Sequence, residues 1–275
     1  MKIKKKYTFR SKRQIWRIIP TETNKLVIEE REPEKKQAYF ICLQTESGKR
    51  IFKDFQHEEK FWVGIEAVYN DLIFFHSYLK PDMPGHKGIL AFDIAEQEIK
   101  WENKDLTFLF QLNNLIYTYL QRFDSRNHYA LNFETGEIEE DFGSDSNKIN
   151  KLRDEAVKNQ SSKDYLFPRI FYDDSSSSEQ LISFFEKLKT EELISGRIEF
   201  ILIDPLLLFC YHSSNSKNSM DIFLKAVDLN SGNYILEEKL VEETKLFLSD
   251  SFFVKSNLLF VLFGKSKLNV YELRN

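Results

Sequence analysis

Apolar residues along this chain come in short runs, and the runs recur. A turn residue followed by a largely apolar stretch appears at Asn24, Asp71, Asn114, Pro205 and Asn257. Short stretches that are apolar at consecutive positions suit strands buried on both faces. Each follows another apolar segment across a polar turn: Ile15 to Ile19, Phe61 to Tyr69, Leu106 to Leu112, Ile198 to Ile203 and Phe252 to Lys255. Asn, Asp and Pro supply the turn chemistry. A second element alternates with the first. Its apolar strand ends at Gln44, Asp93, Asn132 or Asp228, and Gly48, Gln97, Gly136 or Gly232 stands four residues on. Glycine there permits the positive φ of a tight hairpin, and Gln97 is the departure. A truncated copy, Leu268 to Leu273, ends the sequence.

Together these predict units of four strands with a period of roughly 40 to 50 residues, the spacing of propeller blades. The expectation is one all-β domain over residues 1–275, a β-propeller of about six four-stranded blades. One blade is degenerate, with Asp164 to Tyr172 as its remnant and Pro168 marking an edge strand. Residues 145–195 also carry helix signals. Ser177 to Gln180 forms a capping box, and Leu181, Phe184, Phe185 and Leu188 then fall on one helical face. A weaker stretch, Asn147 to Val157, aligns Ile149, Leu152 and Ala156. A short helical insertion on the rim of the sixth position is expected. The last unit stops after its third strand, so Lys4 to Arg10 is expected to pair beside Leu268 to Leu273 and close the ring, removing an exposed sheet edge.

Composition refines this reading. Phe is abundant at 25 residues, and Gly and Pro number only 9 and 6, which fits a strand-built core without flexible linkers. Net charge is −4 with a pI near 5.9, so whole-molecule attraction to nucleic acid is not expected. Lys2, Lys4, Lys5, Lys6, Arg10, Lys12, Arg13 and Arg17 precede the first acid, Glu22. An edge strand guarded by lysines accounts for them; a nucleic-acid or anionic membrane surface is the functional alternative. No stretch approaches the roughly 18 apolar residues of a membrane span, and no secretory apolar region follows Met1. Cys42 and Cys210 lie inside apolar runs and read as buried free thiols, which fits a reducing cytoplasm.

The hairpins Gly88 to Trp101 and Tyr129 to Glu140 resemble the repeats of quinoprotein-like propellers, in which an apolar-Asp-x-x-x-Gly-x-x-x-Trp hairpin recurs from blade to blade. Trp101 stands in the matching place. The resemblance implies the fold. Quinone-dependent dehydrogenases of this kind have eight blades, a signal peptide and a disulfide of adjacent cysteines. This sequence has no such features, so no cofactor or chemistry is carried over. The chain also resembles an uncharacterised family found in Bacteroidota, through the His-to-Pro-Gly-x-Lys-Gly stretch from His76 to Gly88.

The candidate chemistry sits in the connections between second and third strands, which read as long loops: Arg31 to Gln37, Ser77 to Gly88, Leu120 to Asn127 and Ser213 to Asp221. In a propeller these share one face, commonly the binding face. They lean basic, through Arg31, Lys35, Lys36, Lys80 and Lys87 among others, whereas the opposite turns carry Glu46, Glu96, Glu134 and Glu137. The pattern points to a non-catalytic binding or scaffold protein whose long-loop face meets a protein or an anionic ligand. A solvated charged rim is the plainer alternative. Candidate binding residues are His76, Asp82, His86, Lys87, Arg122 and Arg126. His76 ends a buried-type strand, where other units carry Tyr119 and Tyr211, so a hydrogen-bonded polar cap accounts for it. With Asp82 and His86 it could form a metal or acid–base site, although the spacing matches no metal signature. His57 reads as solvated, and His128 and His212 as satisfied strand-end residues. There is no nucleophile elbow or phosphate-cradling loop, and no cofactor is expected. The contrasting function is a hydrolase or lyase with a polar site near the propeller axis, involving His76 or His86. A pocket lined by converging His, Asp or Glu would favour it.

Overall fold

The computed structural model describes residues 1–274 apart from 81–82, 161–164, 173–177 and 216–217, and without the side chains of residues 80, 83, 84 and 160. It divides into two compact units. A central unit spans Arg13–Lys163, and a terminal unit combines Met1–Lys12 with Asp164–Asn275.

Strand β1 (Lys2–Arg10) opens the terminal unit. The central unit holds three antiparallel sheets of four strands, each running in chain order. They are β2 to β5 (Gln14–Pro20, Lys25–Glu32, Gln37–Gln44, Arg50–Phe55), β6 to β9 (Val63–Tyr69, Leu72–Lys80, Met83–Asp93, Glu98–Asn103) and β10 to β13 (Thr107–Leu112, Leu115–Gln121, Arg126–Asn132, Ile138–Gly143). Helix α1 (Ser146–Gln160) follows. The terminal unit continues with β14 (Tyr165–Leu166), β15 (Arg169–Ile170), α2 (Glu179–Glu191) and β16 to β19 (Ile194–Ile203, Leu206–Ser214, Met220–Asp228, Asn233–Thr244). Strands β20 to β22 (Phe252–Lys255, Leu258–Phe263, Lys267–Arg274) complete it.

The alternation of β7 explains the unbroken apolar runs. Successive strand side chains point to opposite faces. Ile73 and Phe75 enter a core shared with Val27, Phe40 and Phe92, while Leu72 and Phe74 enter another with Ile116 and Leu131. A strand with a core on each side has no polar face to show. Aromatic rings close the first core, with Phe40 and Phe75 at 4.5 Å and Phe55 and Phe92 at 4.1 Å between centroids.

The expected hairpin grammar is present. Gly48, Gln97, Gly136 and Gly232 all have positive φ, from 60° to 73°, and each donates its N–H to the carbonyl of Gln44, Asp93, Asn132 or Asp228. The Asp and Asn side chains hold the turn as well: Asp93 accepts from Ala95 and Glu96, and Asn132 from Glu134 and Thr135. Gln97 takes the left-handed conformation despite its Cβ. Trp101, on β9, spans to the next hairpin. Its indole N–H donates to the Phe133 carbonyl at 3.0 Å, and a Cβ on Gly136 would lie 2.6 Å from its ring. Glycine is therefore required there twice over, for its φ and for the indole.

Strand β1 pairs antiparallel with β22, Lys4 opposite Glu272 and Arg10 opposite Lys267, as expected from the missing last strand. It is the sheet's outer strand, and Lys2, Lys4, Lys5 and Lys6 are exposed along it, the arrangement that discourages edge-to-edge association.

Two expectations need correction. Among the described residues there are five sheets, and the described part of the expected remnant, Tyr165 to Tyr172, forms no sheet of its own. Its short strands extend two others, β14 pairing with β20 and β15 with β16. The helices also lie on sheet faces rather than at a rim. Ile149 and Ala156 of α1 join Phe110, Tyr117 and Ala130. Leu181, Phe185 and Leu188 of α2 join Leu207, Phe209 and Val227. Each helix covers an apolar sheet face, and burying one such side chain contributes about 1.5–3 kcal/mol. Ser178 caps α2 by accepting from the Leu181 N–H.

Candidate functional site: a histidine–glutamate cluster on the β6–β9 sheet

The stretch from Ser77 to Gly88 is not a long loop. Strands β7 and β8 continue as a hairpin, with Tyr78 opposite His86 and Lys80 opposite Met83. Proline and glycine in the segment suggested a turn-rich loop. Gly88, at φ +76°, instead marks a bulge opposite His76 in β8. Extending the hairpin brings His76 and His86 together. Their rings stack with centroids 3.5 Å apart and planes within 8°. Tyr78 stands edge-on to both, at 5.2 and 5.5 Å.

The third member is Glu66, on β6. Ile65 pairs with Phe75 and Ala67 with Phe74, so Glu66 is an extra residue in a bulge. The bulge turns its carboxylate toward the histidines. Glu66 Oε2 is 3.0 Å from His76 Nδ1, and Glu66 Oε1 is 3.0 Å from His86 Nδ1. Burial pushes the Glu66 carboxyl up, but the two imidazoles set against it, His76 and His86, outweigh that and hold it below the usual carboxylate range. His76 is 4% exposed, and its side chain makes no hydrogen bond of proper geometry among the described residues. Its Nδ1 lies close to the carboxylate but off the bonding direction.

Neighbouring elements fix the cluster. Gly64 sits opposite His76, and a Cβ there would be 3.0 Å from ring atoms Cε1 and Nε2. Arg31, on β3, donates to the Phe61 carbonyl at 2.8 Å and to the Val63 carbonyl at 2.6 Å. Arg17 donates to the Ile65 carbonyl. Two arginines of one sheet thus pin the strand that carries Glu66. Arg31 is buried and paired with Glu29 at 2.6 Å, so it does not belong to a basic loop surface. On the other side Thr107 donates to the His86 carbonyl at 3.3 Å. Next to the cluster is a cleft of about 210 Å³, lined by His76, Val63, Phe75, Lys87, Glu102 and Lys104.

The remaining candidates are placed as follows. Asp82 lies outside the described residues. Lys87 borders the cleft and reaches Asp105 at 3.6 Å. Arg122 and Arg126 flank the β11–β12 connection, where Arg126 donates to Gln121 and lies 4.4 Å over the Tyr119 ring. His128 Nδ1 is 3.3 Å from the Gly143 carbonyl, in keeping with a satisfied strand-end residue; His212 Nε2 accepts from the Leu248 N–H, but its buried Nδ1 has no hydrogen-bond partner among the described residues. Counting from the two-residue turns, the position of His76 is held by Tyr119 and by Cys210, one residue before Tyr211.

Sequence reasoning paired His76 with His86 but missed Glu66. A signal was there: Glu66 is the one charged residue in the run from Val63 to Tyr69. Two imidazoles and a carboxylate can share a proton, hold an acidic or basic ligand group, or ligate a metal.

A family model described as Domain of unknown function (DUF4905) matches residues 19–101, a span that contains all of Glu66, His76 and His86. No curated protein matches the chain. Among solved structures it is similar to a europium-containing methanol dehydrogenase, at 10% identity and a TM-score of 0.33 over 96% of this chain and 52% of that one. TolB from Acinetobacter baumannii gives 13% and 0.31 over 95% and 55%. The AfRom2 CNH domain gives 8% and 0.34 over 99% of each. The chain spans about half the length of the first two. At these identities none of their chemistry transfers to the cluster.

Proposed function

We propose that this chain is a non-catalytic binding protein that receives an anionic group of a partner in the cleft beside His76. The observation carrying this reading is the cleft itself, with Lys87 and Lys104 against one acid, Glu102, over an apolar floor. At about 210 Å³ it is smaller than the several hundred Å³ of drug-sized ligand pockets. It suits one acidic side chain or a small anion. Arg122 and Arg126, exposed at the β11–β12 connection, are taken as further basic contacts of the same partner. Two buried free thiols, Cys42 and Cys210, support a reducing cytoplasm as the place of work. The pairing of β1 with β22 supports the wider proposal of a single ring of blades closed through the N-terminal strand.

The test is capture of partners from the native host by the tagged chain, with Lys87→Glu, Arg122→Glu and Arg126→Glu combined in a second bait. The reading expects a partner held by the first bait and lost from the second. Equal capture by both would contradict it. The convergence of Glu66, His76 and His86 favours a second reading, a hydrolase or lyase in which Glu66 holds His86 as the proton carrier. Turnover lost in His86→Gln, with partner capture intact, would establish that instead.

A further inference from the structure

We infer that Glu66, His76 and His86 form a binding site for a divalent transition-metal ion of the zinc class, ligated by both Nδ1 atoms and one carboxylate oxygen. The inference is independent of the anionic-partner reading, since it rests on the cluster and not on the cleft.

The donor atoms of the three side chains lie within 4.8 Å of one another. Two imidazoles and one carboxylate are the donor set of open three-residue zinc sites, and a borderline cation prefers them to the all-oxygen sets of calcium or magnesium. His76 gives the second and independent observation. A buried imidazole ordinarily has its nitrogens satisfied, yet His76, 4% exposed, has neither nitrogen in a properly directed hydrogen bond among the described residues. Its Nδ1 faces the same carboxylate as His86 Nδ1. An ion between them would satisfy His76 Nδ1 and both carboxylate-facing lone pairs at once.

The scaffold favours ligation because the ligands stand on paired strands rather than on loops. Gly64 makes room for the His76 ring, and Arg31 and Arg17 hold the β6 backbone on the N-terminal side of Glu66. One adjustment is required. Stacked rings run their Nδ1 lone pairs side by side, whereas a shared ion needs them to converge. The His86 side chain, 35% exposed, has room to turn about Cβ–Cγ; His76, wedged on Gly64, does not. Metal binding therefore opens the stack by moving His86.

The test titrates the metal-free full chain with Co²⁺ and reads the visible absorption that distinguishes tetrahedral from aqueous cobalt. Trp62, whose ring lies 5.9 Å from Tyr78, reports binding through fluorescence quenching. One equivalent is expected to bind with a tetrahedral spectrum and to be displaced by Zn²⁺. Glu66→Gln and His86→Gln should each weaken cobalt binding by about 100-fold or more, since even outer residues of metal sites cost 10- to 100-fold. His57→Gln should leave it unchanged. Should His76→Asn fail to fold, the more exposed His86→Gln decides the matter, with its fold checked by circular dichroism. Absence of stoichiometric binding, or affinity kept in both Glu66→Gln and His86→Gln, overturns the inference. So does an equal loss in His57→Gln.

Discussion

The β2–β5, β6–β9 and β10–β13 sheets carry the same bulge in their first strand and fill it differently. The extra residue is Trp16, Glu66 or Leu109, and the second-strand residue one step before the bulge is Arg31, His76 or Tyr119. In the first sheet the Arg31 guanidinium lies 5.6 Å over the Trp16 ring. In the third, Leu109 packs into an apolar core, and Arg126 covers Tyr119. Arg126 holds the register of His86, two positions along the hairpin, so the Tyr119–Arg126 stack is the counterpart of His76–His86. The backbone supplies a pair and its cover in both sheets. Only the middle sheet places a carboxylate under two titratable rings, and that substitution turns a packing device into a candidate site. Bulges re-aim side chains in this way and favour functional positions.

The comparison can be broken most severely in the first sheet. Arg31→Met removes the partner of buried Glu29 and the clamp on the β6 backbone. Leaving a buried charge unpaired costs about 3–5 kcal/mol, so a large fall in the denaturation midpoint is expected. An unchanged midpoint would mean that the clamp contributes little. Gly64→Ala acts within the middle sheet. The added methyl meets the His76 ring at 3.0 Å, and such overpacking costs about 1–3 kcal/mol. Urea unfolding should show that loss, and Co²⁺ affinity should fall with it.

The smallest effect sharpens the contrast from the terminal unit. Glu199 also follows a bulge, on β16, and is paired with Cys210 rather than with a histidine. Burial raises its carboxyl above the ordinary 4.5, with Asp250 adding to the rise and the Asp250 N–H opposing it. Both folded and unfolded forms hold the proton below that ordinary value, so the protein's full stability is present there. Only the part that depends on Glu199 is lost as pH rises through the raised folded value, where the ion must be held in a half-buried site. Glu199→Gln should therefore raise the melting temperature slightly near pH 7, with the gain vanishing below about pH 4.5. A gain that persists at low pH would assign the effect to packing instead.

Much of the fold was legible because its signals are local. Asp93 and Asn132 announce turns that their own side chains close, and Leu181, Phe185 and Leu188 mark the buried face of α2. The unpaired third strand at Leu268 called for a partner, and β1 supplies it. The site was only half legible. His76 and His86 meet because β7 and β8 stay paired through a segment whose prolines and glycines suggested a loop. Glu66 joins them because of a bulge, and a bulge is a property of register between strands, with no residue type of its own to announce it. The helices were found but misplaced, since their apolar stripes say that something is covered and not what.

The most direct measurement is an anomalous difference map at the zinc absorption edge, from a crystal of the full chain grown with zinc. The account predicts one peak inside the central unit, about 2.0–2.2 Å from the Nδ1 atoms of His76 and His86 and from a Glu66 oxygen, with the two rings no longer parallel. Zinc only at exposed side chains, with the histidines still stacked on each other, would contradict it.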